Sequence, residues 1–175
     1  MATTNIIINE EWRSINGFIN YQVSNIGRVR NANTGRILKP GGGTGGYLKV
    51  ELYKNGKQFT YRIHKLVANE FLDNPENKSC VDHISGNRTD NRVINLRWAT
   101  YSDNNRNKSK KQNTSSQYYG VFWDRHNNKW KCQTRDIIGK VKHLGYFINE
   151  KEAAQKYNDY ICEHFQEFGK LNQID

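Results

Sequence analysis

The sequence is short of the materials from which most stable domains are built. Hydrophobic residues fill only 35% of its 175 positions and the mean hydropathy is −0.93, which argues against one large buried core. Aromatics nevertheless reach 12%, so several small cores, each anchored by a few rings, fit this composition better than disorder does. Cysteine is scarce and dispersed. Cys80, Cys132 and Cys162 form no C-x-x-C pair, so neither a disulfide framework nor a cysteine-ligated structural zinc is expected. No apolar run approaches membrane-spanning length, and Ile6-Ile7-Ile8 is too short for a signal-peptide core. The expectation is a protein of a reducing, soluble, intracellular compartment (cytoplasm or nucleoid), not secreted and with no membrane partner. No heptad repeat is visible, which favours a monomer.

Acidic residues are the remaining shortage. Lys and Arg number 27 against 17 Asp and Glu, a formal charge of +10. Residues 1–75 hold ten basic and five acidic side chains, 76–116 eight and four, and 117–175 nine and eight. An excess concentrated in the first two-thirds suits contact with a polyanion by counterion release, although a solvated basic surface gives the same count.

The organisation reads as α+β, a small multi-module chain. Residues 1–62 are expected to form a β-rich module. Tyr47 to Tyr53 alternates, with Leu48, Val50 and Leu52 on one face and Lys49 and Glu51 on the other. Asn55-Gly56 supplies a two-residue hairpin turn, and the chain returns through Phe59, Tyr61 and Ile63. The run Gly41-Gly42-Gly43-Thr44-Gly45-Gly46 lacks the Gly-Lys-Ser/Thr ending of a nucleotide loop, so it reads as a flexible connector, with no small-molecule cofactor. Residues 63–72 switch to helical spacing through Ile63, Leu66, Val67, Ala68 and Phe71, and Asn74-Pro75 ends the helix. His64 falls inside it and reads as a packed framework residue. Residues 106–117 form a basic linker with Arg106, Lys108, Lys110 and Lys111 and no acid. Residues 118–175 read as a three-stranded antiparallel sheet, near 118–124, 129–136 and 141–147, covered by one helix. Asn149 would cap that helix, Ala153, Tyr157, Tyr160, Ile161, His164 and Phe168 would share a face, and Gly169 would end it.

The chemistry concentrates between these parts, in Val81-Asp82-His83-Ile84-Ser85-Gly86-Asn87-Arg88-Thr89-Asp90-Asn91, then Asn95-Leu96-Arg97-Trp98-Ala99-Thr100, with Asn104 on a following short helix. Metal-assisted phosphodiester hydrolysis needs a base for water, a cation for charge on the phosphate and leaving oxygen, and a group to orient the base. An acid beside a histidine can serve two of these needs from one strand. Hard oxygen donors such as Asp and Asn carbonyls suit one Mg²⁺ or Mn²⁺.

From Tyr61-Arg62-Ile63-His64-Lys65-Leu66-Val67-Ala68 to Asn105 the sequence resembles the HNH homing endonucleases of phage and viral introns, whose motif is a ββα-metal (His-Me) finger. The resemblance implies a nuclease core over 63–105, with Asp82 and Asn104 as metal ligands, His83 as general base and Asn95 as the residue that hydrogen-bonds and positions it. Many relatives staple this finger with zinc; here Trp98, Leu96 and the preceding helix would do so by packing. Glu11-Trp12-Arg13-Ser14-Ile15 and Tyr21-Gln22-Val23-Ser24-Asn25-Ile26-Gly27-Arg28-Val29-Arg30 resemble the small module that precedes such nucleases, implying DNA contact through Arg28, Arg30, Lys39 and Lys49. Its bland alternative is a structural cap on the finger. Tyr119-Gly120-Val121-Phe122-Trp123, Lys129-Trp130, His143-Leu144-Gly145-Tyr146-Phe147 and Glu152-Ala153-Ala154-Gln155-Lys156-Tyr157 resemble the DNA-binding domain of plant ethylene-response factors. In that family the sheet docks in the major groove. Strand alternation independently turns Trp130, Cys132 and Thr134 toward the helix and Lys131, Gln133 and Arg135 toward DNA. The first strand carries Tyr119, Phe122 and Asp124 where the plant domains are Arg-rich, so their target preference does not transfer.

The expected function is therefore site-specific hydrolysis of double-stranded DNA. The alternatives are a non-catalytic DNA-binding protein with a decayed nuclease core, and RNA binding through the linker and exposed aromatics.

Overall fold

In the computed structural model the described residues are 9–107, 114–165 and 168–174, without the side chain of Arg106. They form two units, divided after Thr100.

The first unit is built on alternation and two kinds of turn. Strands β1 (Trp12–Ile15), β2 (Phe18–Ser24) and β3 (Val29–Asn31) form one antiparallel meander. A second sheet has β5 (Leu48–Lys54) at its centre, between β4 (Gly41–Gly42) and β6 (Lys57–Arg62). The β5–β6 hairpin follows the sequence pattern. Val50 and Leu52 are buried while Glu51 is exposed, and Asn55 and Gly56 both take positive φ, +52° and +72°, as a type I′ turn requires. Burying Leu52 completely contributes roughly 1.5–3 kcal/mol. The glycine run departs from expectation. It is not a free connector, because Gly41 and Gly42 pair with Lys49 and Leu48, and residues 44–46 close a single 3₁₀ turn. A glycine strand carries no side-chain alternation, so its pairing is dictated by the neighbouring strand.

Helix α1 (Ile63–Phe71) starts directly from β6 and buries Ile63, His64, Leu66, Val67 and Ala68. The hairpin of β7 (Cys80–His83) and β8 (Leu96–Ala99) packs on it through Val81 and Leu96, and the Trp98 indole N–H donates to the Leu72 carbonyl at 3.2 Å. Ile15, Phe18, Tyr21, Val23 and Val29 belong to the same hydrophobic cluster as Val50, Leu52, Ile63, Val67, Val81 and Leu96. The segments on either side of residue 62 therefore share one core.

The second unit opens with α2 (Tyr101–Arg106), which carries Asn104. It continues as a sheet of order β11-β10-β9, from β9 (Val121–Asp124), β10 (Lys129–Arg135) and β11 (Val141–Phe147), covered by α3 (Glu150–Phe165). Asn149 caps α3 through its Oδ1, which accepts from the Lys151 amide at 2.8 Å. The buried face of α3 differs from expectation. Ala153, Ala154, Ile161 and Phe165 are buried, whereas His164 is exposed and stacks on Tyr160. Ala154 and Phe165 widen the stripe on one side, and the polar ring of His164 falls off its edge. Among the described residues no helix is long and apolar enough to cross a membrane.

Candidate active site

Asp82 and His83 end β7, opposite Arg97 and Leu96 of β8. Both are nearly inaccessible, at 4% exposure each. The cross-strand pairing that faces Asp82 with Arg97 also satisfies the carboxylate, since Arg97 donates to Asp82 Oδ2 from Nε at 3.0 Å and from Nη2 at 2.9 Å. A carboxylate this deep needs such a partner, because an unpaired buried charge is costly.

The polar loop between the strands is a closed structure. Asn95 Oδ1 accepts from the Ser85 amide at 2.9 Å, its Nδ2 donates to the Asp90 carbonyl at 2.8 Å, and the Ile84 amide donates to the Asn95 carbonyl at 2.9 Å. Asn95 thus ties the first residues of the loop to its far end. The side chain on the imidazole is Asn91, whose Oδ1 lies 3.2 Å from His83 Nε2. The amide of Asn95, from which a direct bond to His83 was expected, is turned into the loop backbone.

Burial holds the His83 pKa below the usual imidazole value. The Asn91 bond and the carboxylates of Asp82 and Asp90 pull the other way, and Arg88 adds to the lowering. The ring is packed among other rings. His64 lies edge-on at 4.9 Å between centroids, and Tyr47 at 5.8 Å. His64 is the buried framework residue expected from sequence: burial, then His83, Arg62 and Lys65, push its pKa down to about 3. Arg62 and Arg88 flank the Tyr47 ring at 4.8 and 5.1 Å, and Arg88 Nη1 donates to the Gly45 carbonyl at 2.6 Å. The glycine turn therefore anchors a guanidinium next to the base.

The donor set has a definite chemical character. Asp82 offers a hard oxygen beside a ring that burial keeps neutral. No group of three or more His, Cys, Asp and Glu side chains arranged to hold a metal occurs among the described residues. That set fits Mg²⁺ or Mn²⁺, which take one or two carboxylates and complete their shell with water and substrate phosphate oxygens. Asn104 is half-buried on α2.

The basic residues expected to meet DNA have varied surroundings. Arg28 Nε donates to Glu10 Oε1 at 2.8 Å, while Arg30 donates to Gln22 and stacks over Trp12 at 4.2 Å. Lys39 and Lys49 line an open groove of about 350 Å³ together with Arg36, Glu51 and Tyr53. In the second unit Cys132 is fully buried beneath α3, and Lys131 and Gln133 alternate with it. Phe122 and Tyr146 are the cross-strand neighbours of Lys131 and are exposed. Arg135 is exposed, with Nη1 donating to the Gly139 carbonyl at 2.7 Å. The Arg106 side chain, Lys108, Lys110 and Lys111 lie outside the described residues.

Asn91, Arg97 and the rings of Tyr47 and His64 join the site without having been expected there. The β7–β8 register, counted from the sequence, would have revealed Arg97 opposite Asp82. Asn91 and Tyr47 carried no local signal, because loop closure and the glycine turn bring them to the site.

Residues 61–106 match the HNH endonuclease family profile, and residues 10–53 match the NUMOD4 motif. DNA endonuclease I-HmuI of Bacillus phage SP01 is 41% identical over 95 residues, 54% of this chain and 55% of that protein. A solved structure of the HNH homing endonuclease I-HmuI, described as binding and cleaving DNA, matches with a TM-score of 0.52 and 28% identity, over 87% of this chain and 82% of that one. The chain spans about half of the curated I-HmuI sequence and little more than a quarter of two longer mimivirus HNH endonucleases. The uncharacterized HNH endonuclease L560 of Acanthamoeba polyphaga mimivirus is 34% identical over 134 residues, 73% of this chain and 68% of that protein. A likeness that runs through most of both molecules, with the acid and imidazole side by side on the finger strand, makes this chain a member of the HNH endonuclease family.

Proposed function

We propose that the chain is a site-specific homing endonuclease that hydrolyses a phosphodiester bond of double-stranded DNA with one Mg²⁺ or Mn²⁺. The observation that carries this is the buried pair at the end of β7, a carboxylate locked by Arg97 and an imidazole that burial keeps neutral. A neutral imidazole can accept a proton from water at neutral pH, the first requirement of a general base. His83 takes the proton of the attacking water. Asp82 and Asn104 would hold the ion, as the family resemblance implies, and Asn95 keeps the loop between the strands closed. The divalent ion, when bound, supplies positive charge to the phosphate and the departing 3′ oxygen. Arg62 and Arg88, beside Tyr47, add cationic charge where a scissile phosphate would approach.

DNA is held by segments that precede and follow the cutter in the chain. The first unit offers the groove lined by Arg36, Lys39 and Lys49, with Arg28 and Arg30 nearby in the sequence. The second offers Lys131, Gln133 and Arg135 among exposed aromatics. Three antiparallel strands backed by one helix support the ethylene-response-factor-like reading of residues 118–175. One such centre in a monomer cuts one strand.

The test is cleavage of a randomised duplex DNA library by the full chain with Mg²⁺, with Mn²⁺ and with EDTA, followed by sequencing of product ends. The reading expects a defined cut site that requires a divalent ion. Duplex binding with no cut under any metal condition would favour the non-catalytic reading. Preference for single-stranded RNA over duplex DNA at matched salt would remove DNA as the partner.

A further inference from the structure

We propose that Asn91 is the positioning residue of His83, and that the N-terminal turn Asn25–Gly27 is built to hold Asn91 in place. The catalytic consequence rests on the endonuclease reading, whereas the geometric claim stands without it.

Asn91 is 4% exposed, and its amide orientation is fixed at both ends. Nδ2 donates to the Thr89 carbonyl at 3.4 Å, which leaves Oδ1 toward His83 Nε2 at 3.2 Å. An amide oxygen only accepts, so this contact favours the imidazole proton on Nε2. This acceptor therefore biases the tautomer and restrains rotation of the ring. Asn95 does something different. Its amide binds Ser85 and Asp90, and so it shapes the loop from which Asn91 projects.

The support behind Asn91 comes from a turn far earlier in the chain. Gly27 takes φ +86°, and a Cβ there would lie 2.8 Å from Asn91 Cβ and 3.1 Å from its carbonyl carbon and oxygen. The Asn25 carbonyl accepts from the Val93 amide at 2.7 Å. Asn25 is itself fixed, because its Oδ1 accepts from the Glu11 amide at 3.0 Å and its own amide donates to the Glu11 carbonyl at 3.1 Å. Ser24, fully buried, closes the turn by accepting from Gly27 and Arg28. The segment expected to contact DNA thus packs on the residue that holds the base, at Gly27, and ties the chain two residues beyond it, at Asn25. Glycine is required at 27 by both its φ and its contact with Asn91.

The test uses the full chain with ¹⁵N-labelled histidine. Ring ¹⁵N–¹H correlations report the His83 tautomer in the parent, Asn91→Leu, Asn91→Asp and Gly27→Ala proteins, and single-turnover cutting and duplex affinity in EDTA are measured beside them. The parent should show the Nε2–H form alone. Asn91→Leu, similar in size but without an acceptor, should show mixed tautomers, lose cutting rate on the order of 10²-fold and keep its duplex affinity. Asn91→Asp restores an oxygen acceptor and should restore the Nε2–H form. Gly27→Ala should slow cutting with affinity intact. Retention of the Nε2–H form with parental cutting in Asn91→Leu would overturn the proposal. So would equal loss of rate in the Leu and Asp variants with an unaltered tautomer. If the parent itself cuts nothing, the endonuclease reading fails, and the tautomer comparison still decides the role of Asn91.

Discussion

His64 and His83 are two imidazoles in edge contact, and one site cannot hold both as cations. Burial lowers both pKa values, and it takes His64 down to about 3. The consequence for stability has a fixed sign. Between about pH 6.5, the usual histidine value, and about pH 3 the unfolded chain binds a proton at His64 that the folded chain does not. That contribution is complete above pH 6.5 and is lost as the pH falls through this window. His64→Phe keeps a ring and removes the titration, so its melting temperature should fall less steeply on acidification than that of the parent. Parallel curves for the two proteins would show that the His64 ring is not held neutral by the fold. The packing of His64 was legible in the sequence, since a histidine between Ile63 and Leu66 on a helix start belongs to a packed face, whereas its contact with His83 was not. Asn91 was not legible: it is one of several polar residues in a loop, and only the closure made by Asn95 turns it onto His83.

Among the elements, the β7–β8 hairpin places charge where the site needs it. Asp82 and Arg97 are direct cross-strand partners, with side chains 4% and 12% exposed. Removing one partner of such a pair strands a buried charge at a cost of roughly 3–5 kcal/mol. Arg97→Met should therefore lower unfolding stability by about that much in a urea titration. Asp82→Asn combined with Arg97→Met should recover a large part of it. A loss in the double variant equal to the sum of the Asp82→Asn and Arg97→Met losses would mean that the pair carries no coupling. The sequence showed the β5–β6 hairpin and α1 plainly, because alternation and helical spacing are written in their side chains. It could not show β4, where glycines offer no pattern and Lys49 and Leu48 supply the partners. On α3, i and i+4 spacing found Ala153, Tyr157 and Ile161, while the edge of the stripe, at His164 and Phe165, was decided by packing.

For the whole molecule, the charge of +10 is concentrated in the first two-thirds of a chain whose first unit joins the N-terminal strands, α1 and the β7–β8 hairpin in one core. A sequence boundary near residue 62 marks a change of periodicity, not of core. The shared core explains why an N-terminal turn can reach the site. Charge alone does not identify the DNA-contacting residues, since Arg28 is neutralised by Glu10 and Arg30 is stacked on Trp12. Lys39 and Lys49 are better candidates for phosphate contact. Replacing both by Gln should weaken duplex binding and flatten the plot of log affinity against log salt by about 2, because each neutralised phosphate contributes a slope of about 0.9. An unchanged slope would move the DNA path away from that groove.

The most direct measurement is the single-turnover cutting rate of His83→Ala against the parent, on a duplex recovered from the library, with Mn²⁺ present and enzyme in excess. A base at that position predicts a loss of about 10²- to 10⁴-fold with duplex affinity preserved. Cutting at the parental rate would contradict it, and with it the assignment of the β7 acid–imidazole pair as the centre of hydrolysis.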